Sequence, residues 1–131
     1  MTKVLLIFFG AGVGGLLRYW IGGAVQHAWA GGFPIGTLVV NVSGCLVMGF
    51  LASAFTGPWL VREELRIGLL IGVLGGYTTF STFGRETLAL LQDRQWLSAG
   101  MNIAISNLLG LAAVWAGWVA ASKLLGGGDG T

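Results

Sequence analysis

The sequence predicts an all-α integral membrane protein with four transmembrane helices per subunit, the third broken at its centre. Three observations carry this expectation. Only 9% of the 131 residues are charged and 55% are hydrophobic, whereas roughly a quarter of an ordinary globular chain is charged. Apolar stretches long enough to cross a bilayer, about 20 residues each, recur four times with short loops between them, which leaves no room for a separate soluble domain. Inside the third stretch stands Gly75-Gly76-Tyr77-Thr78-Thr79-Phe80-Ser81-Thr82-Phe83, a run of glycine and hydroxyl residues. Such a run weakens helix and adds polar groups that hydrocarbon cannot satisfy.

The first span is expected over about 4–23. Lys3, the apolar run after it and Ala28-Trp29-Ala30 superficially resemble a secretory signal, yet Arg18, the length to Ala30 and the many glycines better suit a retained span. Gly10 and Gly14 form a small-residue pair at helical spacing, a weak motif for close helix packing. Arg18 either snorkels to the interface or lines a wet, anion-collecting vestibule. His27 falls in a connecting loop over 22–34 with no second ligand near it in sequence, and is read as solvated.

Pro34 opens the second span, over 35–55. Asn41 lies inside it as either interhelical glue or a donor to a passing ion, because an amide in hydrocarbon needs a partner. The lone Cys45 excludes an internal disulfide and reads as a small buried residue. After the charged loop at Arg62, Glu63, Glu64 and Arg66, the third span covers 65–91 with the break near 75–79. Gly68, Gly72 and Gly76 form a ridge along one face. Trp96 opens the fourth span, 96–123, where Asn102, Ser106 and Gly110 share a face; 126–131 is a flexible tail. Trp20, Trp29, Trp59 and Trp96 near the span ends suit an interfacial aromatic belt.

With four crossings, Lys3, Arg62, Arg66 and Lys123 fall on one side, and Arg94 with Arg18 and Arg85 on or near the other. So slight a bias permits insertion in both orientations. Two opposed copies pairing through the glycine ridges give an antiparallel dual-topology homodimer in the lipid bilayer.

The lone His, the lone Cys and the few carboxylates, in loops or near span ends, offer no nucleophile-base pair or metal-ligand set, so no enzyme is expected. The basic residues are scattered, which argues against a nucleic-acid partner. A small dual-topology multidrug-type proton-coupled exporter is the alternative, but such exporters use a membrane-embedded Glu in the first span, and the first acidic residue here is Glu63. What remains is an uncharged path of N–H and O–H donors at Asn41, Thr79, Ser81, Thr82, Asn102 and Ser106. Phe80 and Phe83 are either ordinary packing or ring edges, electropositive at their C–H groups, turned toward an anion. These residues alone point to an anion or polar-solute path.

Gly36-Thr37-Leu38-Val39-Val40-Asn41 with Gly44, followed by the run from Gly75 to Phe83, resembles the Fluc (CrcB-type) fluoride channel family, over essentially the whole chain. The resemblance implies a dual-topology homodimer in the cell (inner) membrane, with two pores that export the fluoride ion passively. It further implies that Phe80, Phe83, Asn41, Ser81, Thr82 and Ser106 line the fluoride pore, that Arg18 lies in the vestibule, and that carbonyls of Gly75 and Thr78 hold a structural Na+ at the dimer axis. Asn102 falls where some members carry Tyr, and Gly110 where some carry Ser.

Overall fold

The computed structural model describes residues 1–126, so the expected tail, apart from Gly126, lies outside the described residues. Every element is helical: α1 (Thr2–Trp29), α2 (Ile35–Thr56), α3 (Glu63–Ile67), a π-helical segment (Gly68–Leu74), α4 (Gly75–Tyr77), α5 (Phe80–Gln92) and α6 (Trp96–Leu124). Among the described residues four stretches are long and apolar enough to cross a membrane, namely Thr2–Trp29, Ile35–Thr56, Glu63–Gln92 and Trp96–Leu124. The third crossing therefore comprises α3, the π-helical segment, α4 and α5.

The first helix outlasts its expected end. It continues to Trp29, so His27 occupies its last turn rather than a loop. Close packing of α1 on α2 explains the extension: a Cβ on Gly22 would lie 3.3 Å from Val40 Cγ2. One turn later the Gln26 amide donates to the carbonyl of Phe33 at 3.1 Å and accepts from Gly36 N–H at 3.0 Å. Gln26 thereby fixes the turn and the Gly36 N–H in the first turn of α2, where a helix start otherwise leaves amides unpaired. Ala30 and Arg94 take left-handed conformations, at φ 55° and 59°, in the two turns at this end. At the other end the Lys3 ammonium meets Glu63 at 3.2 Å.

Packing pairs α1 with the third crossing and α2 with α6. Both seams are built on glycine. A Cβ on Gly10 would stand 2.7 Å from the Gly68 carbonyl, one on Gly72 3.2 Å from Gly10 Cα, and one on Gly76 2.5 Å from the Ala11 carbonyl. The ridge at Gly68, Gly72 and Gly76 is thus occupied within the subunit, and it is not the surface through which a second copy could pair. Between α2 and α6, a Cβ on Gly117 would approach Phe50 N within 2.8 Å. Such approach lets dispersion and backbone contacts act where hydrophobicity gives no driving force between helices.

Tyr77 ends one helical piece and Phe80 begins the next. Between them Thr78 (φ −80°, ψ 156°) and Thr79 (φ −149°, ψ 116°) are extended. Gly75 and Gly76, expected to lie in the disrupted stretch, are helical instead. Gly76 serves close packing on α1, and the adjacent β-branched threonines take the extended geometry they favour.

Candidate functional site

Leaving helical geometry strands backbone groups of the two threonines, and α2 supplies their partners. Asn41 Nδ2 donates to the Thr79 carbonyl at 3.0 Å, and Thr79 N–H donates to Asn41 Oδ1 at 2.8 Å. One amide thus satisfies both polar groups of one extended residue, as apolar surroundings demand. The Thr79 hydroxyl caps α5, accepting from Thr82 N–H at 3.1 Å and donating to Thr82 Oγ1 at 3.1 Å. Thr78 turns its N–H and its hydroxyl back to the Leu74 carbonyl, each at 3.0 Å.

Two sets of backbone groups stay open at the interruption. No hydrogen bond among the described residues ends on the carbonyls of Gly75, Gly76 or Tyr77, and none begins at the N–H of Phe80 or Ser81. The Thr78 carbonyl lies 3.5 Å from Arg18 Nη1, at the long limit of a hydrogen bond. Arg18 is therefore turned to the backbone at mid-crossing rather than snorkelling to a membrane face.

Two clefts flank Thr79. The first, about 220 Å³, is lined by Asn41, Cys45, Thr78, Thr79, Phe80, Phe83, Ser106, Asn107 and Gly110, and none of these carries a formal charge. The second, about 340 Å³, includes Arg18, Gln26, Thr37, Thr82, Arg85 and Glu86 in its wall. The expected pore residues Asn41, Phe80, Phe83 and Ser106 thus meet at the first cleft, whereas Arg18 and Thr82 belong to the second. Ser81 lines neither; its exposed hydroxyl lies 3.3 Å from Thr79 Oγ1. The Phe80 and Phe83 rings stand 5.5 Å apart and tilted by 43°. Phe80 is 81% exposed, so it projects out of the subunit. Gly75 is exposed as well, and a Cβ built on it would meet nothing closer than 3.9 Å.

Several contributors escaped the sequence reading. Glu86, one of the few carboxylates read as lying in loops or near span ends, is half-buried in α5 and accepts a 2.7 Å hydrogen bond from the Thr37 hydroxyl. Asn107 and Cys45 join the wall of the first cleft. The signal for α2 was its four-residue spacing: Thr37, Asn41 and Cys45 recur on one helical face. Asn102 lines neither cleft. It is 2% exposed and donates to Thr87 Oγ1 at 2.9 Å, joining α6 to α5.

A family model described as CrcB-like protein, Camphor Resistance (CrcB), matches residues 5–118. A protein of Paramagnetospirillum magneticum named Fluoride-specific ion channel FluC is 44% identical over 124 residues, covering 93% of this chain and 97% of that one. The protein of that name from Geobacter sulfurreducens is 44% identical over 124 residues, with 95% of this chain and 100% of the relative covered. That of Nitratidesulfovibrio vulgaris is 42% identical over 117 residues, covering 89% and 94%.

Proposed function

We propose, from the premise that this chain belongs to the CrcB-like family, that it is a membrane channel through which fluoride leaves the cytoplasm passively. The divided third crossing carries this reading. Where α5 begins beside an uncharged cleft, the N–H groups of Phe80 and Ser81 are unpaired, and a helix N-terminus carries partial positive charge. Ser106 and Asn107 line the same cleft, and the Asn107 amide keeps a second hydrogen beyond the one it gives to the Ile103 carbonyl at 2.7 Å. Dehydrating a small anion is very costly, so a pore must replace water's hydrogen bonds. Neutral donors can do so without the trapping that a lysine or arginine would impose. The phenylalanine edges add weak positive potential at the same place.

The reading extends to an antiparallel homodimer with two pores. Its support is the exposure of Phe80 and of Gly75, together with the small difference in basic residues between Lys3, Arg62, Arg66 and Lys123 on one side and Arg85 and Arg94 on the other. Sodium fits the other end of the interruption. The Gly75 carbonyl accepts no hydrogen bond, and the Thr78 carbonyl keeps a lone pair beyond its long contact with Arg18. Two carbonyls from each of two subunits would hold the cation, which when bound supplies a fixed positive charge at the dimer axis. The chain's own part is to keep helical partners from those oxygens: Asn41 draws off Thr79 N–H, the partner of the Gly75 carbonyl, and the Thr79 hydroxyl draws off Thr82 N–H, the partner of the Thr78 carbonyl.

Purified protein in liposomes is expected to release fluoride and retain chloride. Phe80→Ile and Phe83→Ile are each expected to abolish the flux in protein that still purifies as a folded species. Equal fluoride and chloride permeation would overturn the channel assignment. Fluoride flux that follows an imposed sodium gradient would overturn the structural role of sodium.

A further inference from the structure

We propose that Asn102 is a positioning residue that sets where the Ser106 hydroxyl sends its hydrogen, and so tunes how firmly the first cleft holds an anion. The inference rests on the channel reading above. It comes from the direction of a hydrogen-bond chain that starts at a backbone carbonyl and ends at the cleft.

The Thr87 hydroxyl donates its one hydrogen to the Phe83 carbonyl at 2.8 Å. A hydroxyl has no second hydrogen, so toward Asn102 it can only accept. The amide must therefore turn Nδ2 to Thr87, at 2.9 Å. That leaves Oδ1 facing Ser106 at 3.3 Å, and an amide oxygen only accepts, so Ser106 must donate to it. Each step forces the next, and Asn102 is too deeply buried, at 2% exposure, for water to relieve it.

The consequence at the cleft is a reversal of sign. Ser106 lines it, but with its hydrogen committed to Asn102 it presents oxygen lone pairs, which repel an anion. To bind fluoride it must rotate its hydrogen away from Asn102. The bond to be given up is long, 3.3 Å against about 2.7–2.8 Å for a good O–H···O contact, and hence cheap to break. Asn102 thus competes with the anion for one hydrogen and reclaims it as the ion moves on, which favours release over retention.

Planar-bilayer recordings of the full-length protein across a fluoride series test this. Asn102→Leu removes the competitor, and the fluoride concentration giving half-maximal current is expected to fall about 2- to 10-fold, the range set by the net worth of one hydrogen bond. The maximal current is expected to fall with it as the ion leaves more slowly. Thr87→Val reaches the same end by another route, because an Asn102 freed from Thr87 can turn Nδ2 to Ser106. Thr87→Ser keeps the acceptor and is expected to behave as the unmodified protein. In a Ser106→Ala background, Asn102→Leu is expected to change nothing further. A half-maximal concentration that rises, or an Asn102→Leu effect of equal size with and without Ser106, would overturn the proposal while leaving the channel standing. Absence of fluoride current in the unmodified protein would instead remove the channel reading, and this inference with it.

Discussion

Asn41 shows at the scale of one residue how the interruption is sustained. Its amide matches the donor and acceptor of Thr79 across 38 positions of sequence. An unpaired buried backbone group costs about 1–3 kcal/mol, so Asn41→Leu, which strands both, is expected to lower stability by about 2–6 kcal/mol. Thermal unfolding in detergent reads this directly. Asn41→Asp keeps the acceptor, loses the donor and adds a negative charge to the wall of the first cleft. It is expected to fold but to lose fluoride flux in liposomes by at least tenfold, since one adverse interaction of about 1.4 kcal/mol already gives that factor. The sequence marked Asn41 as a polar residue in need of a partner, and left open whether that partner was a helix or an ion. The partner is backbone, which no pattern of side chains announces, because it depends on where Thr79 leaves the helix.

The glycine seams belong to the scale of elements. Their existence was legible in the spacing of Gly10 with Gly14 and of Gly68, Gly72 and Gly76. Their partner was not, since small residues at helical intervals say that something approaches closely without saying what. The two adjacent glycines at the end of this ridge now separate by role. Gly76→Ala would place a Cβ 2.5 Å from the Ala11 carbonyl, against backbone that cannot rotate away, and is expected to destabilise the subunit by about 1–3 kcal/mol through overpacking. Gly75→Ala meets nothing closer than 3.9 Å and is expected to leave subunit unfolding within about 1 kcal/mol of the original, with any change favouring helix. If Gly75 faces a second copy, the same substitution weakens dimerisation, which cross-linking yield in detergent would report. The end of α1 was misplaced in the sequence for a related reason. Gly22 looks like a helix breaker until α2 packs against it, and only the packed pair shows that it permits contact, whereas Gly23 meets nothing within 4 Å.

For the whole molecule the decisive arrangement is which crossing lies on which. Four spans could be counted from hydropathy alone, because each is a long apolar run between tryptophans, glycines and charges. Their pairing, first with third and second with fourth, could not, since every span is apolar on most of its circumference. The small number of basic residues at either end leads to a prediction about orientation. Lysines added to the loop at Arg94 are expected to drive one orientation, and lysines added near Lys123 the other. Each biased variant alone is then expected to lose fluoride flux, and expression of the two together to restore it. Full flux from either variant alone would show that opposed copies are not required.

The interleaved pairing also bears on how the chain reaches its final form. The first helix finds its seam only when the third crossing has been made, and the second only when α6, the last, has arrived. The first hairpin holds only the contact of α1 with α2 at Gly22 and Gly36, while the larger seam of each helix waits for a later span. During synthesis the amide of Asn41 must wait for Thr79, and the Ser53 hydroxyl must wait for Ser122, which it meets at 3.1 Å. A chain halted after its second span would hold two glycine-faced helices, each turned toward a partner not yet made. Such a fragment is a natural target for membrane quality control, and its lifetime in the bilayer should be far shorter than that of the complete subunit.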